Sequence, residues 1–190
     1  MKKQDRLLVI IAILMVIGAA LSRVLFYPIN FSPVIAMALF GGSVIKDKKL
    51  AFALPLFAML LSDIMFEVFN VAPGFWGWGQ LVGYGLLGLI TIIGFNLKKI
   101  SVINVATFSI ISSIVFYFLS NSSLWLLQNS TYRTYTQDFN GYIDCLAAGL
   151  PFLTRGLFID LGYSAIFFGV YVLLEKYTLK KVHPVYVKEV

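Results

Sequence analysis

Six long apolar segments separated by short polar breaks constrain this chain more than any other feature of its sequence. They run approximately over residues 7–26, 31–45, 50–69, 76–97, 102–119 and 151–174. A helix of about 20 mostly apolar residues is needed to cross the hydrocarbon core of a bilayer, which is about 30 Å thick. The pattern predicts an all-α, polytopic membrane protein with six transmembrane helices in a single integral membrane domain over residues 1–190.

The composition argues against the soluble classes of protein. Apolar residues make up 59% of the chain and charged residues 13%, whereas globular chains average about 45–50% and about 25%. A small soluble domain needs more polar surface than this, because much of it lies outside. We therefore expect neither a soluble enzyme nor a nucleic-acid-binding domain. The single Cys145 cannot form an internal disulfide.

The positions of the cations predict the orientation in the membrane. All fifteen Lys and Arg residues except Arg23, Arg133 and Arg155 lie near a terminus or in the breaks after the second and fourth segments. Cytoplasmic loops carry the excess of Lys and Arg. Both termini are therefore predicted to be cytoplasmic, in a multi-pass protein integral to the cytoplasmic (inner) membrane.

The sequence allows two interpretations of the first segment and two of the second. Lys2 and Lys3, an apolar run and then Gly18-Ala19-Ala20 resemble a cleavable signal peptide, and cleavage there would leave five spans. The second segment, residues 31–45, would cover only about 22 Å as a helix. It is either a short crossing or a helix that begins below the membrane surface.

Ionisable side chains inside the spans indicate where a site lies. Asp63 and Glu67 lie in the outer half of the third span with Asn70 just beyond, and their spacing places them on one helical face. Arg155 and Asp160 lie in the outer half of the sixth span. Charged residues in a bilayer usually face the bundle interior or a water-filled cavity, so the pattern predicts a polar cavity that opens outward. The alternative is that Arg155 pairs with an aspartate and only fixes the bundle.

The start of the second segment adds a possible anion site. Asn30 is followed by Ser32, predicted as the N-cap, and by Pro33, predicted at the first helical position. Free backbone N–H groups at such a helix start attract anions, and transporters place short helices in this way at substrate sites. The alternative is a cap at the level of the lipid headgroups.

Two further segments carry candidate ligand contacts. The pair Gly79-x-x-x-Gly83 favours close helix packing, with approach of a ligand to the backbone beside Trp78 as the alternative. Residues 121–150 are predicted to form an external loop, either a lid or a solvated connector. The candidate substrate-binding residues are Asn30, Ser32, Asp63, Glu67, Asn70, Trp76, Trp78, Asn121, Trp125, Arg155 and Asp160.

Motifs for the common catalytic chemistries are missing from the sequence. There is no zinc-binding His-Glu-x-x-His, no Gly-x-Ser-x-Gly and no phosphate-binding loop. Asp63 and Asp160 do not stand in the Gly-x-Gly-Asp context of intramembrane aspartyl proteases. We therefore expect no enzymatic activity, no cofactor and no metal.

Several stretches resemble an uncharacterised family of small bacterial integral membrane proteins. They are residues 30–34 (NFSPV), 36–42 (AMALFGG), 60–63 (LLSD), 147–152 (AAGLPF) and 156–160 (GLFID). The stretches are spread over nearly the whole chain, so the resemblance concerns the entire protein. It implies six helices and carries no established activity.

More distantly, the architecture is similar to that of the substrate-binding (S) components of energy-coupling factor vitamin transporters. This similarity implies an outward-facing pocket for a small organic solute, and an energy-coupling transmembrane subunit with ATPases as partners. The small-residue surface that such subunits present on their first helix is matched only in part, by Ala12 and Ala20. We expect a membrane-embedded small-solute-binding subunit of transporter type; the alternative is a structural or assembly membrane protein with no small-molecule ligand.

Overall fold

Alpha-helices make up the regular structure in the computed structural model, which describes residues 3–27, 32–75, 77–128 and 134–176, with side chains from residue 14 onward. Within these ranges the helices are α1 (Lys3–Leu25), α2 (Val34–Val44), α3 (Lys48–Val68), α4 (Trp78–Gly94), α5 (Val102–Leu127) and α6 (Phe139–Leu174). The prediction of an all-α fold with six helices is confirmed for this part of the chain. Three of the helices, α3, α5 and α6, are long and apolar enough to cross a membrane.

Residues in the polar breaks between the apolar segments act as N-caps of the helices that follow. Asp47 precedes α3, Ser101 precedes α5 and Asp138 precedes α6. In each case the side-chain oxygen accepts a hydrogen bond from a backbone N–H of the first turn, over 2.8, 3.3 and 2.7 Å respectively. Because the first N–H groups of a helix have no partner within it, these caps fix where the three long helices start.

Helices that follow one another in the chain run in opposite directions. Ser122 of α5 bonds to Tyr142 of α6, and further along the pair Ser113 of α5 bonds to Asp160 of α6, so these two helices are antiparallel. The end of α2 lies against the start of α3 and against the end of α4. The ends of α1, α3 and α5 and the starts of α2, α4 and α6 therefore share one end of the bundle, which we name the distal end.

Helix α2 lies at the centre of the bundle. It packs against α3, α4, α5 and α6, and its residues from Ala36 to Gly42 are all buried. A helix that is apolar all round is suited to such a position. Gly42 and Gly94 let α2 and α4 approach closely, because a Cβ atom on Gly42 would lie 2.1 Å from the carbonyl oxygen of Thr91. The predicted packing pair Gly79-x-x-x-Gly83 does not form this contact.

The shortness of α2 leaves space at the distal end. With 11 residues it rises about 16 Å. Its end is level with the start of α3, where Gly41 meets Ala51, and its start packs at the level of Met59. Helix α3 continues from Met59 to Val68, about 14 Å further. No helix among the described residues therefore fills the volume above the start of α2.

Helices α5 and α6 extend further than the sequence predicts. Residues 121–150 were predicted as an external loop, but α5 continues to Leu127 and α6 begins at Phe139. The two extensions pack on each other: a Cβ atom on Gly149 would lie 2.6 Å from Oδ1 of Asn121. Pro151 lies inside α6 and does not end it. A hydrogen bond between Ser122 and Tyr142 and the ring contact of Trp125 with Tyr142 also join the two extensions.

Candidate functional site

A cavity of about 740 Å³ lies at the distal end, between α4, α5 and α6. Its floor includes Ser32, Val34 and Ile35 at the start of α2, and α1 and α3 contribute Arg23 and Met59. The cavity thus occupies the volume that the short α2 leaves free. Most of the wall is apolar.

Asp160 is the buried acid of the cavity wall. Its side chain is on α6 and the residue is only 2% exposed. The hydroxyl of Ser113 on α5 donates to Oδ2 of Asp160 over 2.7 Å. The same hydroxyl also lies 3.0 Å from the carbonyl oxygen of Ser109, and a hydroxyl has a single proton to donate. Within the described part of the chain, no cation pairs with Asp160.

Asp63 is equally buried but lies outside the cavity wall. It is fully buried, and its Oδ1 pairs with the guanidinium of Arg23 from α1. Its Oδ2 accepts hydrogen bonds from Gln80 Nε2 at 2.6 Å and from the hydroxyl of Tyr84 at 2.8 Å, both on α4. Three helices therefore meet at one carboxylate whose charge is neutralised and whose oxygens are satisfied.

Arg23 links this cluster to the cavity. One of its nitrogens also bonds to Oγ of Ser62 at 2.5 Å, and its guanidinium carbon lies 4.9 Å from the centre of the Phe66 ring. A cation at this distance from an aromatic face is favourably placed. The Arg23 side chain is 19% exposed and lies on the cavity wall. Its charge is balanced by Asp63 behind it.

Glu67 and Asn70, two of the predicted ligand contacts, close the turn after α3. Oε2 of Glu67 accepts a hydrogen bond from the backbone of Gly74 at 2.9 Å. Asn70 has a φ of 52° and Val71 N–H bonds back to the carbonyl of Phe66, which together form a Schellman ending. Both predicted residues are exposed and neither lines the cavity. The structure therefore does not bring these two residues together with Asp160 at the cavity.

The alternative interpretation, in which Arg155 pairs with Asp63 or Asp160, is wrong. Arg155 is exposed, and within the described ranges it has no ion pair. The partner of Asp63 is Arg23, another of the three cations predicted to lie at the outer side. Because α6 turns its Asp160 face to α5, Arg155 five positions earlier points to a different side of the helix.

The remaining predicted contacts divide into three groups. Trp78 and Asn121 line the cavity, Trp78 as an 80% exposed residue of its rim. Trp125 does not line it: its indole N–H donates to the carbonyl of Thr136 at 2.8 Å and its ring lies 5.2 Å from that of Tyr142, so it braces the connection between α5 and α6. Asn30 and Trp76 lie outside the described residues.

Ser32 lines the cavity but is not a helix cap. The N-cap position of α2 is Pro33, and no side chain caps the helix there. The Ser32 hydroxyl oxygen is buried and has no hydrogen-bond partner among the described residues. The prediction was wrong by one position, because the carbonyl of Pro33 accepts the first helical hydrogen bond, from the N–H of Met37.

Sequence reasoning missed Arg23 and Ser113 as members of this region. Arg23 was interpreted only as a cation that sets orientation, although it lies in the last turn of an apolar span. Ser113 belongs to a run of buried serines on α5 with Ser109 and Ser112. Their spacing on an otherwise apolar helix was the available signal for a polar face. No group of three or more potential metal ligands occurs among the described residues.

Fold and cavity together define a class of protein: an all-helical bundle with three helices long and apolar enough to cross a membrane, and a cavity at one end. The chain belongs to a family of unknown function (DUF6580), whose model matches residues 2–183. The predicted resemblance to an uncharacterised family is thereby confirmed over nearly the whole chain. Neither a curated protein nor a solved structure matches the chain.

Proposed function

We propose that this protein is a membrane-embedded, small-solute-binding subunit of transporter type. The observation that carries the proposal is the cavity of about 740 Å³ with the buried Asp160 on its wall. Small-molecule sites typically measure about 300–1,000 Å³ and combine mostly apolar walls with a few polar groups. Here the polar groups of the wall include Asp160, Ser113 and Asn121.

The proposal places the six helices in the inner membrane with the distal end facing outward. The alternating helix directions put residues 46–49 and 98–99, which hold most of the cations between helices, at the end opposite the cavity. Such cations favour the cytoplasmic side. Helix α2 is too short to cross alone, but it is surrounded by other helices, where a short helix is tolerated at membrane depth.

Single-cysteine labelling tests this orientation. In a Cys145→Ser background, a membrane-impermeant thiol reagent added to intact cells should label Pro73→Cys and Tyr135→Cys. Lys48→Cys and Lys99→Cys should react only after the membrane is opened. Labelling of the two lysine positions from outside the cell would contradict the orientation.

Thermal stability in detergent tests solute binding. A ligand that binds only the folded protein stabilises it by about 2.7 kcal/mol at a hundredfold excess over Kd. We expect at least one member of a vitamin and metabolite panel to raise the Tm. Ala148→Trp should abolish that shift because Ala148 lines the cavity and the indole would fill it. The neighbouring Ala147→Trp is the control, because Ala147 is exposed and lies outside the cavity wall.

The rival function is a structural or assembly protein without a ligand. The cluster of Asp63 with Arg23, Gln80 and Tyr84 favours it, because these charges are satisfied within the bundle. The Trp variants separate the two functions. If no compound shifts the Tm and Ala148→Trp stabilises the protein, as filling a ligand-free cavity would, then the structural function stands and solute binding is rejected.

A further inference from the structure

We propose that the solute of this cavity is a small organic cation, with an apolar or aromatic body and one amine or ammonium group that pairs with Asp160. The inference rests on the proposed function, because it names the class of solute for the same cavity. It comes from the balance of charge on the cavity wall and from the kind of surface around Asp160.

Asp160 is the acid of the described wall that has no paired cation. Arg23 is the other residue with a formal charge there, and it is already paired with Asp63. Asp160 receives one hydroxyl hydrogen bond, from Ser113. Arg155, the cation closest to it in sequence, is exposed and does not line the cavity.

A buried carboxylate without a cation is unfavourable, and buried charges in proteins are normally paired. Asp160 lies on the cavity wall, and no cationic side chain of the described residues pairs with it there. A positively charged group entering the cavity would supply the missing partner, whereas an anionic group would add a second negative charge at the same place. The geometry therefore selects against the anionic ligands that the helix start at Ser32 would otherwise favour.

The rest of the wall is suited to the body of such a solute. Phe116, Tyr117 and Phe152 contribute aromatic rings, and Leu86 and Leu87 contribute an aliphatic surface. Aromatic faces attract cations, and quaternary ammonium groups are commonly bound by several rings together. Phe116 and Tyr117 lie three and four residues after Ser113, so they share the α5 face that meets Asp160.

Binding of matched probes to the purified full-length protein in detergent tests the proposal. The probes are phenylalkylamines, the phenylalkanols of the same length and shape, and the corresponding phenylalkanoates, measured by calorimetry alongside the vitamin and metabolite panel. We expect the amine to bind about tenfold to a hundredfold more tightly than the alcohol, the range for a hydrogen bond to a charged group. The alkanoate should bind more weakly than either.

Two variants test whether Asp160 is the residue that pairs with the amine group of the probe. Asp160→Asn keeps the shape of the side chain and should reduce amine affinity to that of the alcohol. Asp144→Asn is the matched control, because Asp144 lies on the same helix but is exposed and outside the cavity wall, so it should leave the preference for amines unchanged. If the preference for amines survives in a folded Asp160→Asn protein, the assignment of Asp160 is wrong.

The outcomes for the two proposals are distinguishable. Equal binding of amine and alcohol by the unmodified protein, or binding only of neutral or acidic members of the panel, rejects the cationic class and leaves solute binding intact. If no probe and no panel member binds, both proposals are rejected. The comparison of amine with alcohol needs no variant, so it remains decisive even if Asp160→Asn fails to fold.

Discussion

Two buried aspartates lie in this bundle in contrasting surroundings. Asp63 is fully buried and accepts bonds from Arg23, Gln80 and Tyr84, which tie α3 to α1 and α4. Asp160 is 2% exposed, accepts a bond from Ser113 and faces the cavity. Burial is nearly the same for both residues, so burial alone does not distinguish a carboxylate that is satisfied within the bundle from one that lacks a cation. The two residues differ in the number of charged and hydrogen-bonding partners that the bundle supplies.

The two aspartates also differ in their depth within the bundle. Asp63 lies five residues before the end of α3, close to the distal end, and the chain folds over it through the turn that leads to α4. Asp160 pairs with Ser113, which lies about 16 Å along α5 from its start. It is therefore deep in the bundle, where a solute would be enclosed by three helices. A charge at this depth is more costly to leave unpaired than one near a helix end.

The largest effect on the free energy of unfolding is expected from the removal of Arg23. Arg23→Met should lower the free energy of unfolding in detergent by about 3–5 kcal/mol, because it leaves the fully buried Asp63 without its cation. Arg155→Met is the matched control and should change stability by less than about 0.5 kcal/mol, since Arg155 is exposed. Chemical or thermal unfolding measures both. An equal loss in the two variants would show that Arg23 does not anchor the cluster.

The two aspartates can also be compared by removing one neutral hydrogen-bond donor beside each of them. Tyr84→Phe should cost about 1.5–3 kcal/mol of unfolding free energy, the usual worth of a hydrogen bond to a charged group. Ser113→Ala should cost less than about 1 kcal/mol, because water in the cavity can replace the hydroxyl beside Asp160. If Ser113→Ala proves the more costly change, Asp160 is held by packing in the same way as Asp63.

The smallest effect concerns an exposed carboxylate, Asp138, at the start of α6. The backbone N–H of Gly141 and then the hydroxyl of Thr136 hold the pKa of Asp138 below its ordinary value. Because the folded pKa is the lower one, the cap contributes fully above about pH 4 and its contribution is lost as pH falls through the folded pKa. We expect amide exchange in the first turn of α6 to accelerate in acid, after correction for intrinsic rates. Asp138→Asn, which caps without titrating, should show no such acceleration.

The sequence predicted the helices better than their ends. Apolar length is enough to predict the positions of six helices, because burial of apolar residues dominates their placement. It does not predict that α6 begins at Phe139 rather than at Pro151, since proline is expected near a helix start and is also tolerated inside this one. Nor does it show that α2 ends up enclosed, because that depends on the packing of four other helices.

For the site, the sequence predicted several of the residues that line the cavity but not which charged residues pair with each other. Asp160, Ser32, Trp78 and Asn121 were selected from the sequence and do line the cavity. The rotation of α6 about its axis decides that Asp160 faces inward and Arg155 outward, and a single sequence does not define that rotation. Arg23 was missed as a partner because a cation at the end of a span also serves orientation.

We expect Asp63 to stabilise the fold and Asp160 not to do so. The free energies of unfolding of Asp63→Asn and Asp160→Asn, measured without added solute in the same detergent, test it directly. Asp63→Asn should lose about 3 kcal/mol or more, because Arg23 then has no counterion. Asp160→Asn should stay within about 1 kcal/mol of the unmodified protein or be more stable, because a buried unpaired charge is removed. Equal losses in the two variants would contradict the account.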